Sequence, residues 1–553
     1  MNYTRKQWMR VLGAMAWSAT WGLAGPAHAA VSEPYGVTVL YTPGVPLASA
    51  RVTWKADAPR AFGYDVRRRV SGSNDWVRVR YASEPVRSFV DTNLQPLVRY
   101  EYQVLAYRSG GPSTGYASAT EATPLDFPYG VSYPHGTSPS NFSQAQKNAD
   151  VQAMYDRWKA VYLTTNGAGP GGVRVYKPAP DNQESVSEGI GYGMVISAYM
   201  ATATNSGKAD FDGLLTYYNS KRKLKTVGGV TTPSLMAWRI SPTGVVLDNF
   251  AAPDGDLDAA YALLVADKKW GSSGTVNYKA EALSVINNLM QWAVLNNNAD
   301  PSKNSHLIFR SDLTAPTTVE ATTTYTMSSY QMVNYFKQFK DAAADARWDD
   351  VMRAGYKLYD YFYNNSKLAD GTLIGLTPFT FLTHPDPAFQ YKPSTRGYNY
   401  GLDSGRVPWR VGMDFLWYGN ANSTRVAVRP GSEALARDLP KINAQWMKAA
   451  INSNPQNLLA GYTISGVASS TAKFDQRAVV SSMVVGAMTD ASNQEFLDAM
   501  YAWMRVQVPG VTYVYPSGGQ SINAGYFADT VLMMCMLAVT GNMPNLPDIA
   551  PQP

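Results

Sequence analysis

Cysteine is almost missing from this chain. Of 553 residues only Cys535 carries a thiol, so no intramolecular disulfide can brace the fold and the core must hold it alone. Cys535 sits in the apolar segment Val531 to Val539, where a buried inert thiol is expected rather than a nucleophile. Histidine is nearly as scarce. Three of the four (His135, His306, His384) lie beyond the first thirty residues, and none stands at metal-ligand spacing, which argues against zinc. Charged residues make up only 16% of the chain, with a formal net charge of +6 and no dense Lys/Arg run, so a nucleic-acid partner is not expected. Long hydrophobic runs are also lacking. Past residue 30 no run reaches the 18 or so apolar residues that a membrane span needs.

What is present begins with a leader. Arg5, Lys6 and Arg10 precede an apolar stretch from Val11 to Ala24, and Ala27-His28-Ala29 offers small residues at a cleavage point. Residues 1–30 therefore read as a secretory signal, and the mature chain as secreted or periplasmic. The leader holds three bases and no acids, so its removal lowers the formal charge to +3.

Residues 31–124 read as short strands: VTVLY, ARVTW, YDVRRRV, WVRVR and YEYQVLAY, separated by Pro, Gly, Ser and Asp clusters. In the last, Tyr100, Tyr102, Val104 and Ala106 alternate with residues facing the other way, as a half-buried strand requires. About seven such strands predict a β-sandwich. The region resembles a fibronectin type III domain, with Trp54 on an early strand and Leu94-Gln95-Pro96 ahead of Tyr100 as in that family's tyrosine corner.

Residues 125–140, rich in Pro, Gly, Tyr and Ser, read as a linker. From 141 to 543 the pattern is helical: Val151, Met154, Trp158 and Val161 keep helical spacing, as do Leu283, Ile286, Leu289 and Ala293. Ten to twelve helices with few strands predict an all-α toroid of helix pairs. Residues 544–553 read as a disordered tail.

Within the helical region, SVSEGIGYGM places Glu188 among Gly189, Gly191 and Gly193. A phosphate loop is excluded, because the nearest strand-like run ends nine residues earlier and a carboxylate repels phosphate. Two readings stand. Ser185-x-x-Glu188 fits a capping box; alternatively Glu188 is a general acid, buried to raise its pKa, with glycines that let a substrate approach the backbone. The segment AAPDGDLDAAYALLVADKKW then crowds Asp254, Asp256 and Asp258 into the start of a helix. A helix N-terminus favours acids, but three in five residues repel one another.

Ala252, Asp254-Gly255-Asp256 and Trp270 resemble the signature of family 8 of the glycoside hydrolases, with Pro253 where Ser or Thr is usual. Ser187-Glu188-Gly189-x-Gly191-Tyr192-Gly193-Met194 is similar to that family's proton-donor segment, and YGLDSGRVPWR to its Asp-x-x-Arg-x-Pro-Trp-Arg stretch. The resemblance implies an (α/α)6 barrel with an open cleft, an inverting mechanism and no cofactor. It makes Glu188 the general acid, Asp403 the general base and Asp254 a partner of the sugar at the cleavage point. Arg406 matches an arginine that steadies the base and the nearby sugar. Taken alone, Asp403 also fits a helix cap, and so does Asp256.

Pyranose rings present flat C–H faces that aromatic rings cover well. Trp238 resembles a sugar-stacking Trp of the family, and Tyr192, Tyr330 and Tyr526 fall where cleft residues are expected; core packing is the competing reading for each aromatic. With Asp256 these complete the expected substrate contacts. The implied partner is a β-1,4-linked polysaccharide, met by a monomer: glucan first, then xylan, then chitosan. A barrel that binds polysaccharide without cleaving it is the non-enzymatic alternative.

Overall fold

The computed structural model describes residues 34–42, 48–56, 61–70, 73–94, 100–108, 111–112, 117–118, 126–179, 181–202, 204–295, 305–312, 325–382, 392–393, 399–471, 476–510 and 525–546. Residues 1–33 and the residues from 547 onward lie outside these.

Strands β1 (Tyr35–Thr42), β2 (Ala48–Lys55), β3 (Gly63–Val70), β4 (Val77–Ser83), β5 (Ser88–Leu94) and β6 (Tyr100–Arg108) are followed by two short ones, β7 (Gly111–Pro112) and β8 (Ala117–Ser118). They form two antiparallel sheets, β1-β2-β5 and β4-β3-β6-β7, with β8 added to β6. Val52 and Trp54 of the first sheet share one core with Tyr64, Val66, Tyr102 and Val104 of the second. The expected alternation on β6 is present from Tyr100 to Val104, and Ala106 is buried too, but Leu105 on the other face is buried as well. Residues 95–99 of the tyrosine-corner stretch lie outside the described residues.

The helical region has thirteen α-helices among the described residues: α1 (Gln144–Tyr162), α2 (Ser187–Met200), α3 (Gly207–Ser220), α4 (Pro253–Trp270), α5 (Tyr278–Trp292), α6 (Val333–Ala343), α7 (Trp348–Asn365), α8 (Val407–Tyr418), α9 (Ala421–Arg425), α10 (Leu435–Ile451), α11 (Gln476–Ala487), α12 (Gln494–Met504) and α13 (Gly525–Val539). Six of them, α2, α4, α6, α8, α11 and α13, each touch the next, and α13 returns to α2 to close a ring. Around that ring α3, α5, α7, α10, α12 and α1 pack from outside. This is an (α/α)6 barrel. The division follows from composition: α2 and α13 are apolar on all sides and buried nearly throughout, whereas α7 carries its charges on one face only. Among the described residues no helix is long and apolar enough to cross a membrane.

Three expectations need correction. The barrel region carries a three-stranded antiparallel ribbon, β12 (Arg222–Val227), β13 (Val230–Ile240) and β14 (Val246–Ala251), that a purely helical reading passes over; the short strands β9 (Leu163–Thr164), β10 (Arg174–Val175) and β11 (Ser185–Val186) precede it, and β11 pairs with β13. Its hairpin turns on Gly228-Gly229, both at positive φ, the backbone state that a two-residue hairpin demands. Residues 126–140 are no free linker either. Phe127 and Tyr129 are core residues, and the Val131 N–H donates to Gly541 O at 2.8 Å. Asn542 Oδ1 accepts from the Tyr129 and Gly130 N–H groups at 2.8 and 3.2 Å. The expected tail is also shorter: Tyr199 OH donates to Pro544 O at 2.8 Å and Leu546 is buried, because the barrel offers both a partner.

Candidate active site

Glu188 is the second residue of α2, Asp254 the second of α4 and Tyr526 the second of α13, while Asp403 lies in a 3-10 turn (Leu402–Arg406) running into α8. Inner helices thus present their N-terminal turns to one cleft of about 750 Å³. Gly401 begins the turn before Asp403 at φ +145°, where a Cβ would stand 2.4 Å from Ala460 O, so only glycine fits there.

The centre of the constellation is Arg406, whose side chain is 1% exposed. Its Nη1 donates to Glu188 Oε2 at 2.8 Å, to Tyr192 OH at 2.8 Å and to Asp254 Oδ2 at 3.0 Å. Its Nη2 faces Asp403 Oδ1 at 3.1 Å and donates to Ser329 Oγ at 3.1 Å. One guanidinium therefore gathers three carboxylates that lie 215 residues apart at the extremes of the chain segment, from Glu188 to Asp403. Exposure separates them: the Asp403 side chain is 25% exposed, Glu188 15% and Asp254 3%. Burial pushes the Glu188 carboxyl up to about 8, against the pull of Arg406, with Asp254 and Asp403 adding to the rise. Burial also raises Asp254, again opposed by Arg406.

The capping-box reading of Glu188 does not survive. Val186 is the N-cap, without a side-chain cap bond, and Ser185 lies on β11, where its Oγ donates to Val175 O at 2.6 Å. The Glu188 carboxylate turns instead to Arg406 and to Tyr526 OH, which donates to Oε1 at 3.1 Å. Asp403 is likewise no cap, since it contacts Arg406 and α8 starts four residues later.

The glycines around Glu188 play a different part from the one expected. Their missing side chains make room for protein rather than substrate. A Cβ on Gly191 would lie 2.4 Å from Gly255 O, and one on Gly189 2.5 Å from Tyr526 OH. Gly255 answers from α4, where a Cβ would meet Ser187 C at 2.4 Å. Glycine brings α2 and α4 close enough for their carboxylates to share an arginine.

The three aspartates of α4 have three separate partners. Asp254 takes Arg406; Asp258 takes Arg410 through two bonds of 2.8 and 2.6 Å; Asp256 Oδ1 accepts from Tyr218 OH and, at 3.0 Å, from the Met236 N–H. Asp256 is fully buried outside the cleft wall, so its expected contact with sugar is replaced by a tie between α4 and β13, the strand that carries Trp238. Burial raises its carboxyl to about 7. Arg406 and Tyr192 stand behind the wall rather than on it: the three carboxylates that Arg406 holds line the cleft, and Tyr192 OH accepts from Arg406. Trp238, Tyr330 and Tyr526 do line it, as expected.

Sequence reasoning missed Lys177, Phe250, Phe309 and Phe527 on the wall and Ser329 beside Arg406. Phe527, next to Tyr526, and Phe250, four residues before Asp254, were reachable by adjacency. Cys535 is buried and free, its thiol pushed up to about 12 by burial.

Known proteins resemble this chain over the barrel region. A "Beta-glucanase" of Niallia circulans is 28% identical over 418 residues, covering 75% of this chain and 90% of that protein. "Endoglucanase 2" of Ruminiclostridium josui is 30% identical over 446 residues, covering 79% and 80%. Among solved structures, the beta-1,3-1,4-glucanase of Paenibacillus sp. X4 superposes with a TM-score of 0.60 at 27% identity, over 76% of this chain and 99% of that one. A reducing-end-xylose-releasing exo-oligoxylanase, at 17% identity and a TM-score of 0.55, shares the fold. Residues 125–541 match the profile of glycosyl hydrolases family 8, so this chain belongs to that family and is a glycoside hydrolase.

Proposed function

We propose that the chain is an inverting, endo-acting hydrolase of β-1,4-linked glucan, whether cellulose or mixed-linkage glucan, with Glu188 as general acid and Asp403 as general base. The observation that carries this is the single arginine shared by Glu188, Asp254 and Asp403. A carboxyl raised to about 8 is protonated at neutral pH and can give its proton to the leaving glycosidic oxygen. Asp403 is the most exposed of the three and can take the proton of a water that attacks the anomeric carbon. The C–O bond breaks as the water oxygen bonds to that carbon, one proton passing to Asp403 and another leaving Glu188. An inverting pair must stand about 6.5–9.5 Å apart to admit water; here the two carboxylates reach Arg406 through different nitrogens, Glu188 through Nη1 and Asp403 through Nη2. Asp254, beside Glu188, is assigned to hold the sugar at the cleavage point, with Trp238, Tyr330 and Tyr526 as ring-stacking surfaces.

Relatives described as beta-glucanase and endoglucanase support glucan over xylan. The same reading takes residues 1–30 as an export leader, residues 31–124 as a fibronectin type III-like spacer or interaction module, and the enzyme as a secreted or periplasmic monomer. The test is release of reducing ends from carboxymethyl-cellulose and mixed-linkage glucan by the wild type, Glu188→Gln and Asp403→Asn, with the first-formed anomer followed by proton NMR. Strong release of α-anomer, abolished by either substitution, is expected. Release from xylan alone overturns the substrate, and a first-formed β-anomer overturns the inverting assignment.

A further inference from the structure

Phe250 is a large apolar side chain, 60% exposed, on the wall of a cleft whose other aromatics are buried (Tyr330, Tyr526) or partly buried (Trp238, Phe309, Phe527). Packing leaves it open: among the described residues the ring contact is Lys223 Nζ, 6.0 Å from the ring centre. Yet the backbone around it is firmly held. The Phe250 N–H donates to Asp248 Oδ1 at 3.1 Å and the Ala251 N–H to Asp312 Oδ1 at 2.9 Å. Asp312 is itself gripped by Lys223 and Lys225 at 2.6 and 2.8 Å, and Arg239 of β13 pairs in register with Asp248 of β14. An exposed ring on a braced strand is a rigid, flat surface that gains by being covered.

We propose that Phe250 is a sugar-stacking platform for a glucan chain extending past Trp238, and so sets how long a chain the enzyme prefers; this rests on the glucan reading above. Phe250 is the penultimate residue of β14 and open to solvent, whereas Asp254, four residues on, is buried in the first turn of α4. The open ring therefore stands at the outer wall of the cleft and the carboxylate at its floor, and the sugar assigned to Phe250 is a unit further along than the one at the cleavage point. The ribbon position explains why the platform lies at the rim: Trp238 on β13 is partly buried and Phe250 on β14, the outer strand, is open.

The experiment compares initial rates of the wild type, Phe250→Ala, Phe250→Tyr and, as a control, Leu224→Ala, which alters an equally exposed apolar residue of the ribbon away from the cleft wall. The substrates are mixed-linkage glucan and cello-oligosaccharides of rising length. Phe250→Ala is expected to raise KM about 3- to 10-fold on the polymer and long oligosaccharides with kcat retained, and to have a shrinking effect as the chain shortens. Phe250→Tyr restores the wild-type KM, Leu224→Ala matches the wild type, and the thermal unfolding midpoint does not move. Wild-type hydrolysis with no KM change in Phe250→Ala, or with a change independent of chain length, overturns the platform while leaving the glucan reading intact. A wild type that cleaves none of these glucans overturns the glucan reading and the platform with it.

Discussion

Glu188 sits where burial and two neighbouring carboxylates outweigh one arginine, and its proton is held to about pH 8. Two expectations follow for one residue. As general acid it must be protonated, so kcat/KM should fall on the alkaline side near pH 8, and Glu188→Gln should lose about 10²- to 10⁴-fold in kcat. Stability should move in the same direction. A carboxyl raised in the folded state favours folding while protonated, and that contribution is lost as pH climbs from its ordinary value of 4.5 towards 8. The wild-type unfolding midpoint should therefore drop across this window more than that of Glu188→Gln, which has no proton to lose. Asp256 offers the contrasting case. Its Oδ1 serves two donors while the buried Oδ2 has no hydrogen-bond partner. Asp256→Asn keeps the acceptor and should cost less than about 1 kcal/mol, whereas Asp256→Ala strands the Met236 N–H and should cost about 2–3 kcal/mol in chemical denaturation.

At the scale of elements, the site depends on how closely α2 and α4 approach and on how α4 meets α8. Gly191→Ala would drive a methyl against Gly255 O, so a loss of about 1–3 kcal/mol is expected, with kcat falling more than KM because Glu188 moves relative to Arg406. Between α4 and α8 the pairs Asp254–Arg406 and Asp258–Arg410 repeat one helical turn apart, two rungs of a ladder. Arg410→Met leaves the fully buried Asp258 without its counter-ion and should cost about 3–5 kcal/mol by thermal or denaturant unfolding. The sequence disclosed these elements unevenly. Glu188, Asp254 and Asp403 were singled out because each sits in a contiguous motif with a family resemblance; only the acids around Asp254 exceed what capping needs, and Glu188 and Asp403 each also fitted a cap. The purpose of Gly191 was not legible, since its partner, Gly255, is 64 residues away and only the folded packing joins them. The β12–β14 ribbon was legible in its Gly228-Gly229 hairpin but was overshadowed by the apolar periodicity on either side.

The whole barrel is a ring closed by its own ends. Residues 127–137, rich in Pro and Gly, look like a linker by composition, yet their aromatics complete the core, their backbone N–H groups donate to Gly541 O and Asn542 Oδ1, and Tyr133 OH donates to Ala538 O and Met543 O. A chain beginning at residue 126 should keep the full barrel's melting temperature, whereas one beginning at 141 should melt at least several degrees lower by scanning calorimetry, or fail to fold. That long-range seam could not be read from local pattern, because the pairing joins segments some 410 residues apart. It also has a consequence for how such a domain can be inherited. Start and finish lie side by side, on inner-core packing rather than on the carboxylates of the cleft, so the barrel is a self-contained cassette. Other modules can be spliced onto either end, or the ends rejoined and the chain reopened elsewhere, without altering the chemistry that Arg406 organises.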